Sequence, residues 1–234
     1  VANNGNSEKY QNFLRKLSDK FNQEELVTKV VEDENASSAI LDEAKKDYDL
    51  LVLGATESQP NSTHMFNSVV DYLVRVAPCP TMVVQAGNVD KNWSPRRILV
   101  PTNGTEAAKN AADLGFAIAK SDREREVSIL NVMFRDKHSV YHVREDLEKD
   151  LEGFGREIVN ELKEMGDAMN VRTHAVVESG ENPETVIHEF SRDNQIDLVI
   201  LGTNIRPGSR RLYLGARTEN VITNAPCPVV IFNS

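Results

Sequence analysis

Cysteine is scarce, with two residues in 234, Cys79 and Cys227. Two thiols are too few for a disulfide framework or a zinc site, so they read as buried thiols of a reducing compartment, taken to be the cytoplasm. Long apolar runs are missing as well. No segment approaches the roughly 20 residues that span a bilayer as a helix, and no signal-peptide pattern opens the sequence. Positive charge is in deficit, 27 Lys and Arg against 36 Asp and Glu, for a net charge of −9. That balance argues against a general nucleic-acid binder, whose affinity comes mainly from cationic contacts to phosphate. What is present, 40% apolar and 27% charged residues, suits a folded protein of one large domain or two ordinary ones.

The chain repeats itself. "DYDLLVLGA" (Asp47 to Ala55) is similar to "QIDLVILGT" (Gln195 to Thr203), and "VAPCPTMVV" (Val76 to Val84) to "NAPCPVVIF" (Asn224 to Phe232). Both pairs are offset by 148 positions without a gap. Two copies of one unit follow, residues 1–87 and 96–234, joined by a polar linker at 88–95 that contains the single tryptophan, Trp93.

In the second copy, "RRILVP" is a continuous apolar run, as expected of a strand buried on both faces. An alanine-rich helix follows, with Thr105 placed to cap it. Then come strand "EVSILNVM", a long helix from about Glu145 to Met169, strand "VRTHAVVE", a helix with Pro183 in its first turn, strand "IDLVILG", a helix near Leu214 to Thr223 and strand "PVVIF". Such alternation predicts a parallel, doubly wound α/β sheet. The first copy enters at a helix (Glu8 to Phe21) and continues with strand "LVTKVV", a helix, strand "DLLVLG", a helix and strand "TMVV". It lacks counterparts of the first strand, first helix and second strand. A doubly wound sheet without its central strands leaves edges unpaired, so the missing elements are expected from upstream sequence or another chain.

Spread over both copies, "ILVPTNGTEAAKNAADLGFAIA", "LVILGT", "GTNIRPGSRRLYLGARTENV", "APCPVVIF", "LLVLGA", "MFNSVVDYLV" and "APCPTMVV" resemble the universal stress protein (UspA-like) family in tandem form. The resemblance implies two doubly wound parallel sheets of the adenine-nucleotide alpha-hydrolase-like kind. The complete one has strand order 3-2-1-4-5, and the two repeats associate through their last strands. It also implies a site for ATP or AMP, marked by Gly-x-x-Gly, nine residues, then Gly and Ser or Thr. In the second copy Gly202 and Gly215 occupy their places, Ile205 stands at the second glycine, and Ala216 replaces the hydroxyl residue, with Thr218 beyond Arg217. Asn103, after Pro101 and Thr102, takes the place of the family's acidic residue, and Val132 would flank the base with it. Arg206, Arg210, Arg211 and Arg217 could grip phosphate instead. The competing reading is a solvated basic turn. In the first copy Gly54 survives, but Glu57 falls at the second glycine and Asn67-Ser68 replaces Gly-Ser, so a nucleotide is not expected there.

His138 and His142 have the spacing of two ligands on one helical face but sit in a polar connection, so no metal is expected. Asp71 and Glu219, at equivalent helix positions, read as surface residues. Ser128 and Ser139 belong to no nucleophile arrangement, which argues against an enzyme, slow ATP hydrolysis included. The reading is a non-catalytic cytoplasmic sensor module, the tail of a cation:proton antiporter with a membrane domain upstream. The alternative is a free tandem stress-response protein binding ATP or AMP, and a homodimer is compatible with either.

Overall fold

A computed structural model describes residues 7–21, 26–32, 35–55, 65–86, 89, 93–135, 145–204 and 212–233. The first copy contributes α1 (Ser7–Phe21), α2 (Ala36–Ala44), β1 (Leu51–Gly54), α3 (Ser68–Val76) and β2 (Thr81–Gln85). The second contributes β3 (Arg97–Thr102), α4 (Glu106–Lys120), β4 (Glu126–Phe134), α5 (Glu145–Ala168), β5 (Arg172–Gly180), α6 (Pro183–Asp193), β6 (Leu198–Thr203), α7 (Ala216–Asn224) and β7 (Val229–Asn233).

The sheets of the two copies join through their last strands, as expected, into a single sheet. Seven strands run in the order β1-β2-β7-β6-β3-β4-β5. Within the second copy this is 3-2-1-4-5, with every pairing parallel. The copies join where β2 meets β7, the single antiparallel pairing among the described strands. Val83 faces Ile231 across that seam, and each is the other's counterpart in the repeat. A residue opposite its own equivalent marks a pseudo-two-fold axis. The seam covers what would otherwise be two apolar sheet edges.

Two clusters of buried side chains flank the sheet. On one face α3, α6 and α7 pack over Val83, Leu99, Val199 and Ile231. On the other α4 and α5 cover Ile98, Val100, Ile129 and Ile200, with Trp93 of the linker partly buried against them. The continuous apolar run of β3 is explained by this placement, because Ile98, Leu99 and Val100 are all fully buried.

The first copy departs from expectation at "LVTKVV". Residues 26–31 form no strand, and Glu32 makes only an isolated bridge. The strand that would pair with this segment has no counterpart here, and a lone strand has no ladder to stabilise it. Val27 is exposed. The segment is instead tied by charge, since Lys29, Lys46 and Tyr48 all donate to the Glu43 carboxylate on α2. Those hydrogen bonds, Lys29's the largest, lower the Glu43 pKa from an ordinary 4.5 to about 2. A carboxyl depressed on folding contributes its stability above the ordinary value and loses it as pH falls toward 2. Carboxyl-resolved NMR titration is therefore expected to place the Glu43 midpoint near 2, and Lys29→Met should move it upward. A midpoint at the ordinary value in the wild-type protein would refute the tether.

The expectation of a surface position is overturned for Asp71, while Glu219 is half-buried. Asp71 is 1% exposed and accepts a hydrogen bond from the Phe66 N–H at 3.2 Å. Glu219 does the same for the Leu214 N–H at 3.3 Å. Both carboxylates fold back over the start of their helices, where the dipole favours negative charge. The separation of five residues in each pair is a structural signature of the repeat rather than a catalytic one.

Both cysteines are free and half-buried. Burial, helped by the charge of Asp197, pushes the Cys227 thiol up to about 12, so it is an unreactive thiol at neutral pH.

Candidate functional site

At the carboxyl ends of β3, β4 and β6 the sheet opens into a cleft of about 280 Å³. The strand order reverses here, with β4 to one side of β3 and β6 to the other, which is the usual ligand crevice of an open parallel sheet. The volume is near the lower end for small-molecule pockets. Pro101, Thr102 and Asn103 come from the end of β3, Leu130 and Val132 from β4, and Leu201 and Gly202 from β6. Three helices add their first turns: Thr105 and Ala108 of α4, Pro183, Glu184 and Ile187 of α6, and Arg217, Thr218 and Val221 of α7. The floor is apolar and the rim polar.

Local chemistry sets each wall. Asn103 is exposed, and its Oδ1 accepts from the Thr105 N–H at 3.2 Å and the Thr105 hydroxyl at 2.7 Å. With that oxygen engaged, the side-chain amide offers its N–H groups to a ligand. Thr105 is the N-cap residue of α4, as expected, yet it makes no side-chain cap bond, because its hydroxyl is turned to Asn103. Beneath the rim, the buried Asn131 donates to the Thr102 carbonyl at 2.9 Å and ties β4 to β3.

Of the sequence-predicted residues, Pro101, Thr102, Asn103, Val132, Gly202, Arg217 and Thr218 come together in this cleft. Gly215 and Ala216 do not line it. Gly215 precedes α7 with φ of 95°, a conformation that itself calls for glycine. Gly202 also has a packing reason, since a Cβ built there would lie 1.8 Å from the Ala107 carbonyl oxygen of α4. Both glycines are thus accounted for without a phosphate. Arg206, Arg210, Arg211, Ile205 and Gly208 lie outside the described residues, as do Glu57, His138, His142 and Ser139. Among the described residues, no group of three His, Cys, Asp or Glu side chains is placed to hold a metal ion, and no helix is long and apolar enough to cross a membrane.

Glu184 was not singled out in the sequence. It follows Pro183 in a solvated-looking helix start, and only packing turns it toward the cleft. Two equivalent-looking helices in the first copy provide a contrast. Asn35 accepts from the Ser38 N–H to cap α2, and Asn67 accepts from the Val70 N–H to cap α3. The three helices that open on the cleft, α4, α6 and α7, have no side-chain cap bond at all. At α4 and α6 the Ala108 and Thr185 N–H groups bond to the N-cap carbonyls instead, and Pro183 has no N–H, so the N–H groups left for another acceptor are mainly those that open α4 and α7.

Residues 5–85 and 95–233 each match the universal stress protein family. The universal stress protein E homolog of Haemophilus influenzae is 27% identical over 238 residues, which covers 94% of this chain and 74% of that protein. A universal stress protein of Methanocaldococcus jannaschii is 29% identical over 143 residues, 58% of this chain and 81% of the relative. Among solved structures, a putative universal stress protein of Pseudomonas aeruginosa superimposes with a TM-score of 0.63 at 14% identity, covering 96% of this chain and 78% of that one. These likenesses agree with the fold and the repeat, and the chain belongs to the universal stress protein family, with the family domain present twice in tandem.

Proposed function

We propose that this chain is a non-catalytic regulatory module that senses an adenine nucleotide, ATP or AMP, in the cleft of its second repeat. The observation that supports it is the convergence of the uncapped starts of α4 and α7 on one crevice that Arg217 also lines. Unfilled N–H groups, helix dipoles and a guanidinium together favour a phosphate. The apolar floor of Leu130, Val132 and Leu201 suits a base. Among the described residues no nucleophile paired with a base lines the crevice, which supports binding rather than turnover.

In the first repeat, among the described residues, no strand lies beyond β1, so the corresponding cleft lacks its central walls. The same reading assigns that edge to two strands and a helix of the kind β3, α4 and β4 provide in the second repeat, contributed by residues upstream or by another chain. A module completed in this way would serve as the cytoplasmic regulatory tail of a cation:proton antiporter. A free tandem stress protein uses the same site, and the gene sequence upstream separates the two, since the antiporter reading requires a series of apolar segments of about 20 residues each.

Calorimetry with ATP, ADP and AMP tests the site. Binding is expected, and Arg217→Ala should weaken it by about tenfold or more through loss of a charge-assisted contact. No heat at millimolar nucleotide, or equal affinity in the variant, would sink the assignment.

A further inference from the structure

Glu184 lines the cleft, and its Oε2 is buried without any hydrogen-bond partner. A carboxylate oxygen withdrawn from water and left unpaired is unfavourable in the free protein. Donors do line the same cleft, the Asn103 amide, the Arg217 guanidinium and the Thr218 hydroxyl among them, but none of them bonds to Oε2. A donor that enters with a ligand would satisfy it.

Resting on the nucleotide reading above, we infer that Glu184 accepts a hydrogen bond from the ribose 2′-hydroxyl and makes the cleft selective for ribonucleotides over deoxyribonucleotides. Three features of the site carry this. The first is polarity: Glu184 is negative at the start of α6, while Arg217 is positive at the start of α7, and both open on one cleft. Phosphate is repelled by the former and drawn to the latter, which leaves the sugar for Glu184. The second is chemistry, since a carboxylate accepts only and a ribose hydroxyl donates well. An acidic side chain on the ribose 2′-hydroxyl is a recurrent solution in other nucleotide-binding folds. The third is energetic. A site that keeps an unpaired acceptor rejects an analogue lacking the matching hydroxyl more strongly than one lined by apolar groups.

The test compares AMP with 2′-deoxyAMP by calorimetry on the wild-type chain, Glu184→Gln and Glu184→Ala. The wild type should prefer AMP by about tenfold or more, Glu184→Gln should retain part of that preference, and Glu184→Ala should lose it. Thermal melting without nucleotide provides a second reading. Glu184→Ala should be as stable as the wild type or more so, because an unpaired buried oxygen is removed. Equal affinity of the wild type for the two nucleotides, or a preference that survives Glu184→Ala, overturns the inference while leaving nucleotide binding intact. A marked loss of stability in Glu184→Ala also overturns it, since Glu184 would then be a structural residue. Failure of both nucleotides to bind the wild type removes this inference together with the proposed function.

Discussion

Replacing Gly202 with alanine should destabilise the protein by about 1–3 kcal/mol, while the same change at Gly54 should stay within about 0.5 kcal/mol. The two glycines are counterparts in the repeat, and each is the last or next-to-last residue of its strand, β6 or β1. Their surroundings differ completely. A Cβ at Gly202 would meet the Ala107 carbonyl oxygen at 1.8 Å and the Ala108 nitrogen at 2.8 Å, whereas a Cβ at Gly54 would meet nothing within 4 Å. The atoms in the way at Gly202 are backbone, so no rotamer change relieves the contact and the start of α4 must move. That movement also displaces Thr105 and Ala108 from the cleft, so nucleotide affinity should fall with stability. The neighbouring positions repeat the contrast, since Val52 is 56% exposed and its counterpart Ile200 is 0% exposed. Urea unfolding followed by Trp93 fluorescence is a suitable measurement, because that indole is packed against the cluster beneath α4. Equal losses at the two glycines would show that helix contact is not what separates the repeats.

Ile231→Asp should lower stability by about 3–5 kcal/mol, the cost of an uncompensated buried charge. Ile231 is 1% exposed at the seam of the two copies, opposite Val83, also 1% exposed, in the cluster beneath α3 and α7. The described partners around it are apolar, so an aspartate there finds no cation and must either be protonated or drag water into the seam. Ile231→Val is the matched control and should cost about 0.5–1.5 kcal/mol. Denaturation at pH 7 and pH 4 distinguishes charge from shape, because protonation of the aspartate should recover part of the loss at low pH. A variant as stable as the valine control would mean that the β2–β7 seam does not hold the copies together.

Much of this molecule is legible one residue after another. Strands β3 to β7 follow from short apolar runs separated by amphipathic helices, and the repeat follows from two matched segments at one fixed offset. A reader of the sequence can place the cleft too, because Pro101, Asn103, Val132 and Gly202 lie toward the carboxyl ends of strands of a parallel sheet and Arg217 at the start of the helix that follows β6. Local chemistry suffices for all of these, since periodicity, turns and strand ends are properties of neighbouring residues.

What lies beyond the sequence are the properties that depend on partners far along the chain. "LVTKVV" has the composition of a strand but no strand beside it to complete a ladder, so propensity alone misleads. Asp71 looks like a solvated helix residue until α3 packs on the sheet and closes over it. Gly202 reads as a phosphate residue, although the approach of the α4 backbone already requires it. Glu184 became a candidate only when α6 brought its carboxyl into the crevice with Oε2 unbonded. A sequence determines which groups can make an interaction; burial and long-range pairing, set by the whole fold, determine which of them must.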